Sequence, residues 1–447
     1  MVWEIIKNPV VVSVALLLVL SVVRMNVAFA IVISAAIGGW CGGMNGTQIV
    51  EAFSKGLGNG AGIAFNYAML GAFSIAISRS GVTELLASRL FKCVDKARTP
   101  KELFWFKYVL LLILTFASIS SQNLIPVHIA FIPILIPPLL KVFEKIKLDR
   151  RAAACILTFG LITPYMVLPF GFGRIYLNEV LIGNIKNNGC NISADLAPHA
   201  MLIPALGMIA GLLIAVFISY RKPREYDVKK IEQLSFDNVG EIKPCRVIAG
   251  IIAIAVGLAG QLWMDSLVLA AVAGIAVFVI SGVVSVRDTQ DVFTKGVYMM
   301  GGIGIVMIGA SGFAEVLKSS GCVKELVDML ASGIGDSKGV AVFLMLFVGL
   351  VITMGIGSSF STVPLIAAIY VPLCMKLGMS PAAIIAVVGV AGALGDAGSP
   401  VSESVLGPTA GLNADGQHDH IYDSTIPTFI HYNIPLLIAG WIAGMVL

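Results

Sequence analysis

Charge is what this sequence has least of: Asp, Glu, Lys and Arg make 13% of its 447 residues, while 57% come from the hydrophobic set. Soluble domains carry roughly 25% charged residues, so this chain lacks the polar surface to meet water on all sides. That shortage excludes a cytosolic enzyme, a nucleic-acid binder and a disordered chain, and a mean hydropathy of +0.93 points to a membrane. Cysteine is scarce as well. Cys41, Cys93, Cys155, Cys190, Cys245, Cys322 and Cys374 are odd in number and scattered, which suggests packing residues and neither a metal knuckle nor a disulfide framework. No G-x-x-x-x-G-K-[ST] loop occurs, so any drive must come from an ion gradient or a partner chain.

What is present is a series of apolar runs. A hydrocarbon core about 30 Å thick takes roughly 20 apolar residues per helix. On that ruler candidate segments lie near 9–23, 26–43, 60–79, 104–119, 124–140, 152–172 and 200–219, then near 247–263, 265–286, 298–318, 341–355, 361–377, 382–397 and 433–447. The expected fold is an all-α polytopic membrane protein with about 12–14 hydrophobic segments, the shorter ones free to re-enter instead of crossing. Glu4 stands ahead of the first segment and no small-residue cleavage site follows it, so that segment reads as an uncleaved span. Lysine and arginine in short loops set the sidedness. The loop with Arg89, Lys92, Lys96, Arg98 and Lys101, the loop with Lys141, Lys145, Lys147, Arg150 and Arg151, and the central loop 221–246 are basic and belong on the cytoplasmic side. The central loop separates a first transmembrane unit, 1–220, from a second, 247–447.

The two units resemble each other. Glu51 to Leu90 lies over Asp291 to Leu330 without a gap, with 10 of 40 positions identical, among them Phe53/Phe293, Lys55/Lys295, Gly56/Gly296, Gly62/Gly302, Phe73/Phe313 and Gly81/Gly321. Ser120-Ser121 and Pro126 fall over Ser358-Ser359 and Pro364 at nearly the same offset. The loops after Arg79 and Leu140 are strongly basic, whereas their counterparts after Lys318 and around Lys376 are not. Equivalent loops therefore sit on opposite sides, the mark of an inverted-topology repeat, in which two halves exchange conformations around one central site. An amphipathic stretch follows each matched segment (Val82, Leu85, Leu86, Leu90; Val323, Leu326, Val327, Leu330) and suits either an interfacial helix or a loop helix packed on the bundle.

Sites in such proteins form where helices break near the midplane, because only there are backbone groups and small hydroxyls free to replace water around an ion. Two segments at matching repeat positions combine hydroxyls with a proline inside an apolar run: Ser118 to Pro126, offering Ser120, Ser121 and Asn123, and Gly355 to Pro364, offering Ser358, Ser359, Ser361 and Thr362. A third, Gly392 to Ser404, carries Asp396 after an apolar run with no charge since Lys376. An isolated acid at a span centre costs about 2.5–3.5 kcal/mol on insertion scales and needs a functional or pairing reason. Gly395, Gly398 and Pro400 would unwind the chain there, leaving Asp396, Ser399, Ser402 and Glu403 as oxygen ligands for a hard cation or as a proton acceptor; Na+ at Asp396 and Ser399 is the specific metal candidate. The competing reading is Asp396 as the cap of a helix outside the membrane. In the first half, Thr163 to Pro169 makes a break without a carboxylate. Glu315 has Lys318 three residues on, either to pair with it or to mark the membrane interface, and His418-Asp419-His420 lies in a polar stretch, 413–423, that reads as solvated.

At these residues the chain resembles the NhaC-type sodium/proton antiporter family of the ion transporter superfamily. The likeness rests on Gly395-Asp396-Ala397-Gly398-Ser399-Pro400-Val401-Ser402 and on the hydroxyl-rich break in each half, covers most of the chain, and is strongest from about Gly355 to Pro435. It implies paired broken or re-entrant hairpins, a scaffold with a moving transport part, and sodium or protons as coupling ions with no other cofactor. Some members of this kind are proposed amino-acid permeases, notably for histidine. One departure is Glu403, where antiporter relatives tend to carry a second Asp, which leaves the cation stoichiometry open.

The expected function is an ion-gradient-driven secondary transporter of the sodium/proton antiporter kind in the cell membrane, with the bilayer and a small cation as its partners. A sodium- or proton-coupled permease for an amino acid or organic acid is the alternative, and a homodimer stays open. A distant third class, an intramembrane aspartyl protease, would use Asp396 with Asp423, but the order of the supporting motifs along the chain is wrong for it.

Overall fold

Asparagine, serine and aspartate open most of the helices, since a short side-chain oxygen can take the orphan N–H groups of a first turn. Asn8 accepts from Val10 ahead of α1 (Pro9–Val22), Asn26 from Ala28 ahead of α2 (Val27–Cys41), and Asn45 forms a reciprocal pair with Gln48 at the start of α3 (Gly46–Ser80). The computed structural model describes residues 7–23, 25–82, 85, 99–123, 128–233, 244–264, 266–323, 325–326, 329 and 337–447. Leu86, Leu90, Val327 and Leu330 of the amphipathic stretches, and residues 124–126 of the first hydroxyl-rich segment, lie outside them. The first half continues with α4 (Pro100–Asn123), α5 (His128–Lys145), α6 (Arg150–Val167), α7 (Phe172–Asn187) and α8 (Leu202–Ser219). In the second half follow α9 (Pro244–Met264), α10 (Leu267–Ile280), α11 (Thr289–Ser319), α12 (Lys338–Ile356), α13 (Ser359–Lys376), α14 (Pro381–Ala393), α15 (Glu403–Leu412) and α16 (His420–Val446).

All regular structure among the described residues is helical, as an all-α membrane protein requires. Among the described residues five helices are long and apolar enough to cross a membrane, namely Lys101–Asn123, α8, α9, α12 and α16; α6 and α7, bent by 52° at their junction, add a sixth as one broken span. Several predicted boundaries move. The segment foreseen at 60–79 belongs to a helix that starts at Gly46, and the last span starts at His420, within the stretch read as a polar loop. At the start of α16 Ile421 and Asp423 are buried by protein, whereas Gly46, Thr47 and Gln48 at the start of α3 are exposed. Trp263, Ile280, Ile251 and Ile248 on α9 and α10 are exposed, as suits lipid-facing helices.

The repeat-matched helices α3 and α11 pack on each other, and they run antiparallel: Lys55 pairs with Glu315 at one end (2.6 Å) and Arg79 with Asp291 at the other. The contact is symmetric by sequence. A Cβ on Gly56 would lie 2.5 Å from the Ser311 carbonyl oxygen and 2.6 Å from Gly312 Cα, while one on Gly296 would lie 2.1 Å from the Ala72 nitrogen and 2.4 Å from the Gly71 carbonyl carbon. Each set is the other moved by the repeat offset. Midway between them Gly304 meets Ala64, its own equivalent. Close approach here demands glycine, because the opposing atoms are backbone. Around this pair the arrangement echoes itself, with α2 packed on α11 and α10 packed on α3.

A polar cluster closes one end of the bundle. Arg150, at the first turn of α6, grips Asp415 with two hydrogen bonds (2.6 and 2.7 Å) and donates to the Leu412 carbonyl at the end of α15, both charged side chains being fully enclosed. The start of the central loop is bound here too: Arg224 pairs with Asp423 (2.6 Å), and the Arg150 N–H donates to the Tyr226 hydroxyl. His418 and Asp423 are buried, which corrects the expectation of a solvated 413–423 loop at these residues, while Asn413, Gly416, Asp419 and Tyr422 are exposed. The buried groups escape water because the loop folds onto α6 and exchanges hydration for arginine and hydroxyl partners.

Candidate functional site

Three chain breaks converge. Helix α12 stops because Gly357 takes a left-handed conformation (φ 71°) and its N–H turns back to the Thr353 carbonyl; Ser358 is extended, and α13 restarts at Ser359 with no side-chain cap. Helix α14 stops at Ala393, and residues 394–402 run without regular helix until Ser402 caps α15. Helix α6 stops before Leu168 and restarts as α7. Side chains clamp the freed backbone, as burial requires. Asn123, the last residue of α4, donates to the Phe170 carbonyl (3.0 Å) and accepts from the Gly173 N–H (3.0 Å), fixing the α6–α7 corner. Asn433 accepts from the Gly395 N–H, Thr353 donates to the Ala391 carbonyl, and Ser399 donates to the Met354 carbonyl (2.8 Å). Pro408 removes the N–H that would bond the Ser404 carbonyl, and Thr158 of α6 donates to that carbonyl instead (3.1 Å).

Asp396 sits in the middle of these breaks, 7% exposed. Its Oδ2 accepts from the Tyr165 hydroxyl (2.9 Å) and the Ser359 hydroxyl (2.7 Å), which stand 2.8 Å apart, and its Oδ1 accepts from the Ser402 hydroxyl (2.5 Å). Three hydroxyls thus take the places around the carboxyl oxygens that water would fill outside the protein. Tyr165 comes from the first half, Ser359 and Ser402 from the second. The carboxylate therefore joins the broken helix of one half to two breaks of the other.

Asp396 borders a cavity of about 300 Å³. The cavity is lined by Asp396, Ser358, Ser359, Val401, Glu403 and Ser404 around the breaks, by the aromatic Tyr165, Phe172 and Phe360, by Ala310, Ser311, Ala314, Glu315 and Lys318 of α11, and by Gln122 at the end of α4. Phe172 and Phe360 have ring centroids 4.9 Å apart. Glu315 pairs with Lys55 of α3, and not with Lys318 as its spacing suggests.

The predicted residues divide accordingly. Asp396, Ser358, Ser359 and Glu403 reach the cavity, and Ser402 acts through Asp396. Ser120 is exposed away from it, Ser121 bonds the Ser118 carbonyl, Thr362 bonds the Ser358 carbonyl, and Ser399 bonds Met354, so none of these lines it. The Ser361 side chain lies outside the described residues. Among the described residues no group of three or more His, Cys, Asp or Glu side chains is arranged to hold a metal. Asp396 and Asp423 share no partner, Asp423 being held by Arg224 and the Asp419 N–H, so the geometry offers no aspartyl dyad. Tyr165 and Gln122 are the contributors that sequence reasoning missed. The break around Tyr165 was legible, and the side chain it aims at Asp396 was not.

Broken apolar helices meeting at a buried carboxylate beside a central cavity define a polytopic membrane protein of the secondary-transporter class. Sequence comparison agrees: a Na+/H+ antiporter family profile matches residues 156–441 and a second, also described as a Na+-H+ antiporter family, matches residues 8–94. The chain belongs to the Na+/H+ antiporter family. It is 55% identical over 98% of its length, and over the whole of the relative, to an uncharacterized membrane protein of Vibrio parahaemolyticus, and 46% identical over 98% of its length to all of a Bacillus subtilis protein named "Putative amino acid transporter YuiF". Among solved structures, Neisseria gonorrhoeae MtrF, described among antimetabolite efflux pumps, is similar over 90% of this chain and 85% of its own, with 16% identity and a TM-score of 0.41.

Proposed function

We propose that the protein is an ion-gradient-driven antiporter exchanging sodium for protons by alternating access, with Asp396 as the group that takes up the coupling ion. One observation carries the reading: the buried carboxylate is held by hydroxyls from both halves on the wall of a central cavity. An acid so placed can trade a proton for a cation while its hydroxyl neighbours turn from donors to ligands. The antiparallel, offset-matched contact of α3 with α11 supports two inverted repeats, 1–220 and 247–447. The basic central loop then lies on the cytoplasmic side.

A second reading, coupled import of a small amino acid or organic acid, has its own support. The cavity's 300 Å³ is about tenfold the volume share of one water, ~30 Å³, and reaches the lower end of the range for small-molecule pockets, ~300–1,000 Å³. Reconstituted proteoliposomes separate the two. A sodium pulse that shifts luminal pH with no organic solute present supports exchange; silence there with uptake of labelled amino acid supports the permease. Asp396→Asn abolishes coupled flux under either reading, and undiminished flux in that variant would overturn both.

A further inference from the structure

We propose that Gln122 is a substrate-binding residue whose amide oxygen, together with Asp396, receives the ammonium group of a small organic amine or amino acid. This rests on the cavity being the transport site and deepens the permease reading. Gln122 borders the cavity, is 5% exposed, and its Oε1 has no hydrogen-bond partner among the described residues. A buried acceptor left unpaired costs about 1–3 kcal/mol, and native proteins keep few of them. The neighbouring residues satisfy their own groups: Ser121 bonds the Ser118 carbonyl and Asn123 clamps the α6–α7 corner. Gln122 Oε1 is left without a partner on a residue that shares the cavity lining with the Asp396 carboxylate.

The chemistry of the lining selects the ligand. An ammonium group has three donors and no acceptor, which suits an amide oxygen and a carboxylate and gives a carboxylate-only solute nothing at that end. A bare sodium ion would use the same oxygens but needs neither a 300 Å³ cavity nor the Phe172–Phe360 aromatic pair. An organic body of a few carbon atoms uses both.

The experiment measures uptake in proteoliposomes of labelled amino acids, of the matching amines without a carboxyl group, and of the matching acids without an amino group. Solutes bearing the amino group are expected to enter and the deaminated acids to be refused. Gln122→Leu, which keeps the bulk and loses the acceptor, raises the half-saturation for amino-bearing solutes about ten- to a hundredfold, the range set by a hydrogen bond to a charged group. Gln122→Glu, which can only accept when ionised, retains them, and a monodisperse elution profile shows that both variants fold. Equal uptake of deaminated acids overturns the assignment, as does a Gln122→Leu variant with unchanged half-saturation. Wild-type vesicles that exchange sodium for protons and ignore every amine overturn the ammonium assignment alone; vesicles that move no ion and no solute overturn the transport reading beneath it.

Discussion

Replacing Asp415 by Asn leaves the Arg150 guanidinium charged, enclosed and deprived of its counter-ion. In the native chain two Nη–Oδ bonds of 2.6 and 2.7 Å, a third bond to the Leu412 carbonyl and the Tyr226 ring 4.1 Å from the guanidinium carbon surround that charge. Both partners are 0% exposed at the side chain, so no solvent screening discounts the interaction. Removing one partner of a buried pair costs about 3–5 kcal/mol, a large fraction of a total stability of about 5–15 kcal/mol. The loss is readable without a ligand. Cys155 and Cys374 are buried, so a thiol-reactive fluorophore added during a thermal ramp reports the bundle opening, and Asp415→Asn is expected to open well below the wild type. The double variant Arg150→Met with Asp415→Leu removes both charges and is expected to recover most of the loss, because two apolar side chains carry no stranded charge. A single variant within about 1 kcal/mol of wild type, the value of an exposed pair, would refute the reasoning, and so would a double variant no better than the single one.

Three further outcomes follow from the geometry. Burial pushes the His418 imidazole down to about 3 from its ordinary 6.5, so the unfolded chain takes a proton below about pH 6.5 that the folded chain refuses; stability falls as pH drops from there toward 3, and His418→Asn flattens the slope of thermal midpoint against pH. Gly296→Val puts side-chain atoms into the Gly71–Ala72 backbone and is expected to abolish the monodisperse peak, whereas Gly58→Ala, with open space around its Cβ, keeps it and gains up to about 1 kcal/mol of helix propensity. Tyr165→Phe removes one of the three donors to Asp396, worth about 1.5–3 kcal/mol, and coupled flux in proteoliposomes is expected to fall roughly ten- to a hundredfold with the elution profile unchanged.

The parts of this protein that were legible in its sequence are those where polarity contradicts its surroundings. Asp396 stood out because an acid in an apolar run has few uses, and the glycines and lysines that recur at the 240-residue offset pointed to two helices, α3 and α11, that pack on each other. Tyr165 was hidden for the opposite reason, since a tyrosine among apolar residues is ordinary packing until its hydroxyl is located. Gln122 was lost among its neighbours. Successive helical residues point about 100° apart, so Ser120, Ser121, Gln122 and Asn123 face four ways, and composition cannot say which one meets the cavity. Arg150 was read as a loop charge because a rule about sidedness counts basic residues without asking what folds over them; Asp415, which lies 265 residues away, answers that only in three dimensions.

The meeting of Gly304 with Ala64 divides the α3–α11 seam into two stretches that the repeat offset carries into each other, Gly56 against Gly312 on one and Gly296 against Ala72 on the other. The consequence is one for mutagenesis. A bulky residue at Gly56 and one at Gly296 meet the same kind of obstacle, opposing backbone, at opposite ends of a single seam, so the two variants are expected to fail alike.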